Sequence, residues 1–398
     1  MAKAIEKKPK DKEKKHFKKI FAFCLFAALA VLIVSEATGN TRSIQNLFNP
    51  EMQFVEHTAI GHDAAAGPSI FATESGFFIA TRDSVRFYNS DGIEIFRSSH
   101  SINNPVLFGQ GNYAAILEQN GRFANVYNTS GLMYTISASG PITGFTLGPG
   151  GLAGVIAYRG GSYFIQIYNS AGRVFREGTH AYANVVPMLM DISHDGRVLA
   201  ISYLDINDAV MNSFVNLIFI EQSDYLAHEY TDGIFAGNRQ NPEQIIGAIS
   251  FMEDGNIVAV SDTRIFGISG TTGMTIWEFP VNNRMSQVDF GNNWFVVAYG
   301  SPMLNQPGVP LGTVHAYSAA GGRLFAFNAD AYVDSVEIRG GNVVIGSGGT
   351  FSALARNGSL LWELELPNNI RSVSITSSPD QVVSFSATEA RVLRRVRQ

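Results

Sequence analysis

Eight histidines, one cysteine and 34 acidic residues are the groups in this 398-residue chain that could do acid–base, nucleophilic or metal chemistry. Their spacing argues against each. The histidines stand at 16, 57, 62, 100, 180, 194, 228 and 315. There is no His-x-His pair and no His-Glu-x-x-His, the patterns that bring two imidazoles to one metal. Cys24 is alone, so neither an intramolecular disulfide nor a cysteine metal site can form. Asp205-Ile206-Asn207-Asp208 places oxygen ligands as a calcium loop does, yet it lacks the glycine at position six and the distal glutamate. His194-Asp195-Gly196 has the residues of a catalytic dyad. Met252-Glu253-Asp254-Gly255 fills the same slot without a histidine, so both are read as turns. There is no Gly-x-Ser-x-Gly elbow, phosphate-binding loop or dinucleotide fingerprint. The sequence predicts no catalytic, cofactor-binding or metal-ligating residue, no cofactor, and no enzyme.

What the chain does carry is a repeat. Phe87-Tyr88-Asn89-Ser90-Asp91-Gly92 returns as Val126-Tyr127-Asn128-Thr129-Ser130-Gly131 and as Ile167-Tyr168-Asn169-Ser170-Ala171-Gly172. Looser copies end at Gly273, Gly321 and Gly358. Each is an apolar strand end, a small polar turn and a glycine able to take positive φ, followed by another apolar run. The glycines at 92, 131 and 172 are 39 and 41 residues apart. A period of about 40 residues made of strands and turns defines a β-propeller.

With the repeated turn between strands c and d, the units fall at about 69–99, 105–137, 141–178, 188–230, 246–280, 286–328 and 333–366. Val373–Ile375, Val382–Phe385 and Val392-Leu393 supply strands a, b and c of one more unit, and Gln53–Glu56 is a strand without a blade. Completing the last blade with the N-terminal strand closes the ring and removes exposed edges. The prediction is an all-β propeller of eight four-stranded blades over 53–398, with seven blades as the alternative.

All nine lysines lie in the first 19 residues, and every later basic residue is arginine. Residues 1–36 carry +5 and the rest carries −10, which disfavours nucleic acid as a partner. Residues 1–19 read as a cytoplasmic Lys-rich tail and 20–35 as a transmembrane signal anchor. Residues 36–52 are a linker. Lysines before the apolar run and Glu36 after it place the N-terminus inside and the propeller outside the membrane. Ser35-Glu36-Ala37 also permits cleavage as a signal peptide. A lone cysteine fits a bacterial cell surface.

Three stretches exceed the repeat: Leu204–Asn212, between strands b and c of unit four; Thr231–Gln244, between strand d of unit four and strand a of unit five; and Ser301–Leu311, between b and c of unit six. In a propeller those connections open on one face. The expected binding loops therefore present Leu204, Asp205, Asn207, Asp208, Asp232, Asn238, Arg239, Pro302, Asn305 and Gln306.

Thr272-Gly273-Met274-Thr275-Ile276-Trp277 and Asn357-Gly358-Ser359-Leu360-Leu361-Trp362 resemble the PQQ-like, quinoprotein-type propeller repeat. The resemblance implies that Trp277 and Trp362 dock one blade on the next. Gly267 and Ser269 depart from that repeat, which has Ala and Asp there, and five of the seven units lack the tryptophan. Members of the family that hold the cofactor are dehydrogenases. Those without it include the scaffold lipoprotein of the outer-membrane β-barrel assembly machine. The layout is also similar to membrane-anchored propellers of Gram-positive clostridia. The expected function is a non-catalytic binding or scaffolding module for protein or cell-envelope partners. The alternative is a quinoprotein-like dehydrogenase or a hydrolase with its site at the central channel.

Overall fold

Phe77-Phe78-Ile79-Ala80 and Phe295-Val296-Val297-Ala298 are uninterrupted apolar runs, and every side chain in them is buried. A strand reads that way when both of its faces are covered. Glu94–Ser99 and Thr275–Pro280 instead alternate, as strands with one wet face do. The computed structural model gives the reason: the second and third strands of each unit are sandwiched between neighbouring units, and the fourth is outermost. It describes residues 52–180, 184–207, 209–221, 234–238, 244–300 and 311–397. The expected tail, apolar segment and linker before Met52 lie outside the described residues. No helix among the described residues is long and apolar enough to cross a membrane.

The described strands form eight antiparallel four-stranded sheets. Seven take their strands a to d from one continuous segment each. The eighth joins Ile370–Ser378, Gln381–Ser386 and Glu389–Arg397 to the N-terminal strand Met52–Gly61. Apolar clusters join successive blades, and the eighth blade packs on the first through Val383, Phe385 and Val392 against Ala72, Phe77 and Tyr88. Arg394 and Gln381 of the last blade reach Asp91 in the first blade's turn. Glu56–Arg394 forms one compact unit; Met52–Val55 and Arg395–Arg397 belong to a second.

All seven single-segment blades share one irregularity. Just after the c–d turn, strand d carries a β-bulge whose extra residue is Ile95, Met133, Phe175, Phe235, Ile276, Leu324 or Leu361. A bulge re-aims the residue that follows it. Those residues are Phe96, Tyr134, Arg176, Ala236, Trp277, Phe325 and Trp362, and each meets the next blade. Phe96 stacks on Tyr127 at 6.2 Å. Tyr134 donates to the Gly151 carbonyl at 2.5 Å, and Arg176 donates to the Phe219 carbonyl. The Trp277 indole N–H donates to the Ala319 carbonyl at 3.1 Å, and that of Trp362 to the Pro379 carbonyl at 2.7 Å.

The turn glycines complete this joint. Gly321 has φ +80°, and a Cβ on it would stand 2.8 Å from the Trp277 ring. Gly358 lies in the same way under Phe325, and Gly172 under Tyr134. The c–d glycine is therefore fixed twice, by its backbone and by the side chain above it.

One boundary differs from the expectation. Strand d of blade four is Ile234–Asn238, not a segment ending near 230. The stretch 231–244 is thus not one d–a connection. Strand c of blade four ends at Phe219, so the long stretch before Ile234 belongs to the c–d connection and not to a d–a one. Asn238 is a strand residue, 2% exposed, whose amide donates to the Gly273 carbonyl and Thr275 Oγ1 at 3.0 Å. It locks blade four to blade five and is unavailable to a partner.

Candidate binding site

The innermost strand of each blade leaves one edge without a sheet partner, so its N–H groups must be satisfied some other way. At two of the steps between blades an acid on strand a does this. Asp191 in blade four accepts from the backbone N–H of Phe251 in blade five at 2.7 Å and from Ile192 N–H at 2.9 Å. Ser250 Oγ lies 3.3 Å from its second oxygen, and Gln110 of blade two reaches its first at 3.4 Å. Asp289 in blade six accepts from Ile338 N–H of blade seven at 2.6 Å. Glu337 in blade seven accepts from Ser374 Oγ of blade eight. Three carboxylates thus bridge three blade-to-blade steps at one level of the ring.

Their protonation follows from enclosure. Burial pushes the Asp191 carboxyl up, against the donors from Phe251, Gln110, Ile192 and Ser250. Burial raises Asp289 to about 6; the Ile338 and Phe290 N–H groups oppose this, Glu337 adds to it and Arg339 works against it.

Beside these acids a cavity of about 660 Å³ opens at the a–b mouth of the channel. The a–b turns of blades one to seven line it, together with Arg356 from a c–d turn. Its rim offers Glu74, Asn112, His194 and Glu253. Arg339 enters from the end of strand a in blade seven. Its Nη2 donates to Glu337 at 2.7 Å, and its guanidinium lies 5.2 Å from the Phe71 ring centroid. Among the described residues no group of three His, Cys, Asp or Glu side chains is placed to hold a metal ion. The arrangement has rigid walls, an ordered inner layer of acids and an outer ring of polar side chains, a geometry suited to holding a ligand.

The loop residues singled out in the sequence lie elsewhere. Leu204 and Asp205 end strand b of blade four, and Asn207 folds back on Asp205 through N–H and amide contacts of 3.0 and 2.6 Å. They stand on the b–c face. Asp208, Asp232, Arg239, Pro302, Asn305 and Gln306 lie outside the described residues. The sequence reading missed Asp191, Asp289, Glu337, Arg339 and Arg356. A signal existed: Met190-Asp191-Ile192, Val288-Asp289-Phe290 and Val336-Glu337-Ile338 each set an acid between apolar residues just before an a–b turn.

This architecture defines the class, an eight-bladed β-propeller. The chain belongs to a protein family of unknown function, DUF5711, whose model matches residues 53–394. No curated protein matches it. Among solved structures, BamB from Moraxella catarrhalis is similar over 86% of this chain and 98% of its own, at 14% identity and TM-score 0.52. Sqt1 from Saccharomyces cerevisiae is similar over 86% of this chain and 100% of its own, at 10% identity and TM-score 0.57. At such identities the likeness is one of fold.

Proposed function

We propose that this chain is a single-pass, N-in membrane protein whose extracytoplasmic propeller binds or scaffolds a protein partner. The observation that carries the binding role is the division of labour around the channel. The inner acids hold blades together, while the cavity mouth keeps polar side chains on a rigid ring, where binding residues concentrate. The sequence before Met52 supports the anchor: nine lysines, then fifteen uncharged residues from Ile20 to Val34.

The lysine distribution makes the topology measurable. A membrane-impermeant amine reagent applied to intact cells is expected to leave the protein unlabelled, and to label it after lysis. A Ser130→Cys variant, changed at an exposed turn of blade two, is expected to react with an impermeant maleimide in intact cells. Lysine labelling of intact cells with a silent Ser130→Cys variant would place the propeller inside and refute the proposal. A chain labelled only at a new α-amino group, with no labelled lysine even after lysis, would show that residues 1–19 had been removed.

The b–c face gives a second reading of where the partner sits. The strand ends from which three connections longer than the repeat depart, Asp205, Asn238 and Gly300, lie on that face. Replacing 301–311 by a two-residue Asn-Gly turn between the paired Gly300 and Gly312 is expected to leave folding intact in either case. Only on the b–c reading does it abolish partner capture.

A further inference from the structure

Arg339 is a guanidinium partly withdrawn from water, with its side chain 12% exposed. Glu337 takes one edge through Nη2, and Phe71 lies against it. Its Nε is buried and has no hydrogen-bond partner. Arg339 also lines the cavity, where an acceptor on a ligand can meet the part of the guanidinium that Glu337 leaves open. Arg356 lines the same cavity and touches the protein through a contact of 3.4 Å to the Asn293 carbonyl. Both arginines come from blade seven, in a propeller whose net charge is strongly negative. The planar fork of arginine favours carboxylate geometry.

We infer that the Arg339–Arg356 wall of the a–b cavity recognises a carboxylate on an acidic side chain presented by a peptide segment of the partner protein. This rests on the proposed binding function and names the chemistry of its partner. At about 660 Å³ the cavity has room for a short turn of polypeptide, whose backbone and flanking groups Asn112, Glu253 and His194 can meet.

The test uses the full-length chain and capped hexapeptides that differ at one central position, Glu, Gln or Lys, with inorganic phosphate as a separate probe. The Glu peptide is expected to bind at least about tenfold more tightly than the Gln peptide, with the preference shrinking as salt is raised. Arg356→Gln, a change at an exposed side chain, is expected to remove most of that preference, with the loss much larger for the Glu peptide than for the Gln peptide. Arg339→Gln is expected to do the same, with folding checked by circular dichroism. Equal binding of Glu and Gln peptides overturns the arginine assignment while the binding module stands. No binding of any peptide at millimolar concentration overturns the peptide ligand. Phosphate that binds as tightly as the Glu peptide and displaces it marks a small-anion site and also overturns the peptide ligand.

Discussion

Trp277→Ala is expected to cost about 3 kcal/mol of stability, read as a fall in the urea midpoint of the full-length protein. The indole lies parallel to Phe295 and Phe279, at 6.3 and 5.7 Å, and closes over the next blade's turn at Gly321. Removing it empties the joint between blades five and six and orphans the Ala319 carbonyl. Trp277→Phe keeps part of the ring packing and loses the indole N–H, so it is expected to cost clearly less than Trp277→Ala, about 1–2 kcal/mol. Gly321→Ala strains a φ of +80° and drives a Cβ into the indole at 2.8 Å. In the double variant Trp277→Ala/Gly321→Ala the collision is gone, so the combined loss is expected to be smaller than the sum. Strict additivity would show that the two residues do not form one joint.

Asp191→Ala is expected to cost about 2–3 kcal/mol, because the Phe251 N–H is left buried without an acceptor. Asp191→Asn keeps an oxygen there and buries no charge, so its loss is expected to be well under half of that. Equal losses in the two variants would remove the carboxylate bridge from the account. Asp289 gives the matching pH experiment. Its folded-state pKa of about 6 lies above the ordinary 3.8, so the folded state holds the proton more tightly. The stabilisation is complete below pH 4, is lost as pH rises through 6, and stays lost above. Relative to wild type, Asp289→Asn is therefore expected to gain roughly 1–2 kcal/mol between pH 4 and pH 7. A constant gap across that range would contradict it.

The ring was legible in the sequence because its repeated turn is a local device. Asn89, Asn128, Asn169 and Asn357 bond the backbone of their own turns, and each turn glycine has positive φ. Closure was legible from an orphan strand at one end and an incomplete blade at the other. The docking position was half visible. Its tryptophans stand out at 277 and 362, but Phe96, Tyr134, Arg176, Ala236 and Phe325 make the same joint with unrelated chemistry, and only the bulge register unites them. Gly267 shows why the repeat motif is degenerate there, since a Cβ on it would lie 2.3 Å from the Trp277 indole nitrogen. The misplaced strand in blade four also had a local cue: Asp232-Gly233-Ile234 repeats Asp91-Gly92-Ile93. The cavity was not legible, because its lining is divided among seven blades, from one residue to five in each, and no single stretch carries a pattern.

The most direct measurement is photo-crosslinking in the cells that make the protein. A full-length chain would carry benzoylphenylalanine at Asn112 or His194 on the cavity mouth, or at Asn207 on the opposite face. The account predicts the same protein adduct from Asn112 and His194, none from Asn207, and a weaker adduct when Arg356→Gln is added. An adduct from Asn207 alone, or none from the mouth, would contradict it.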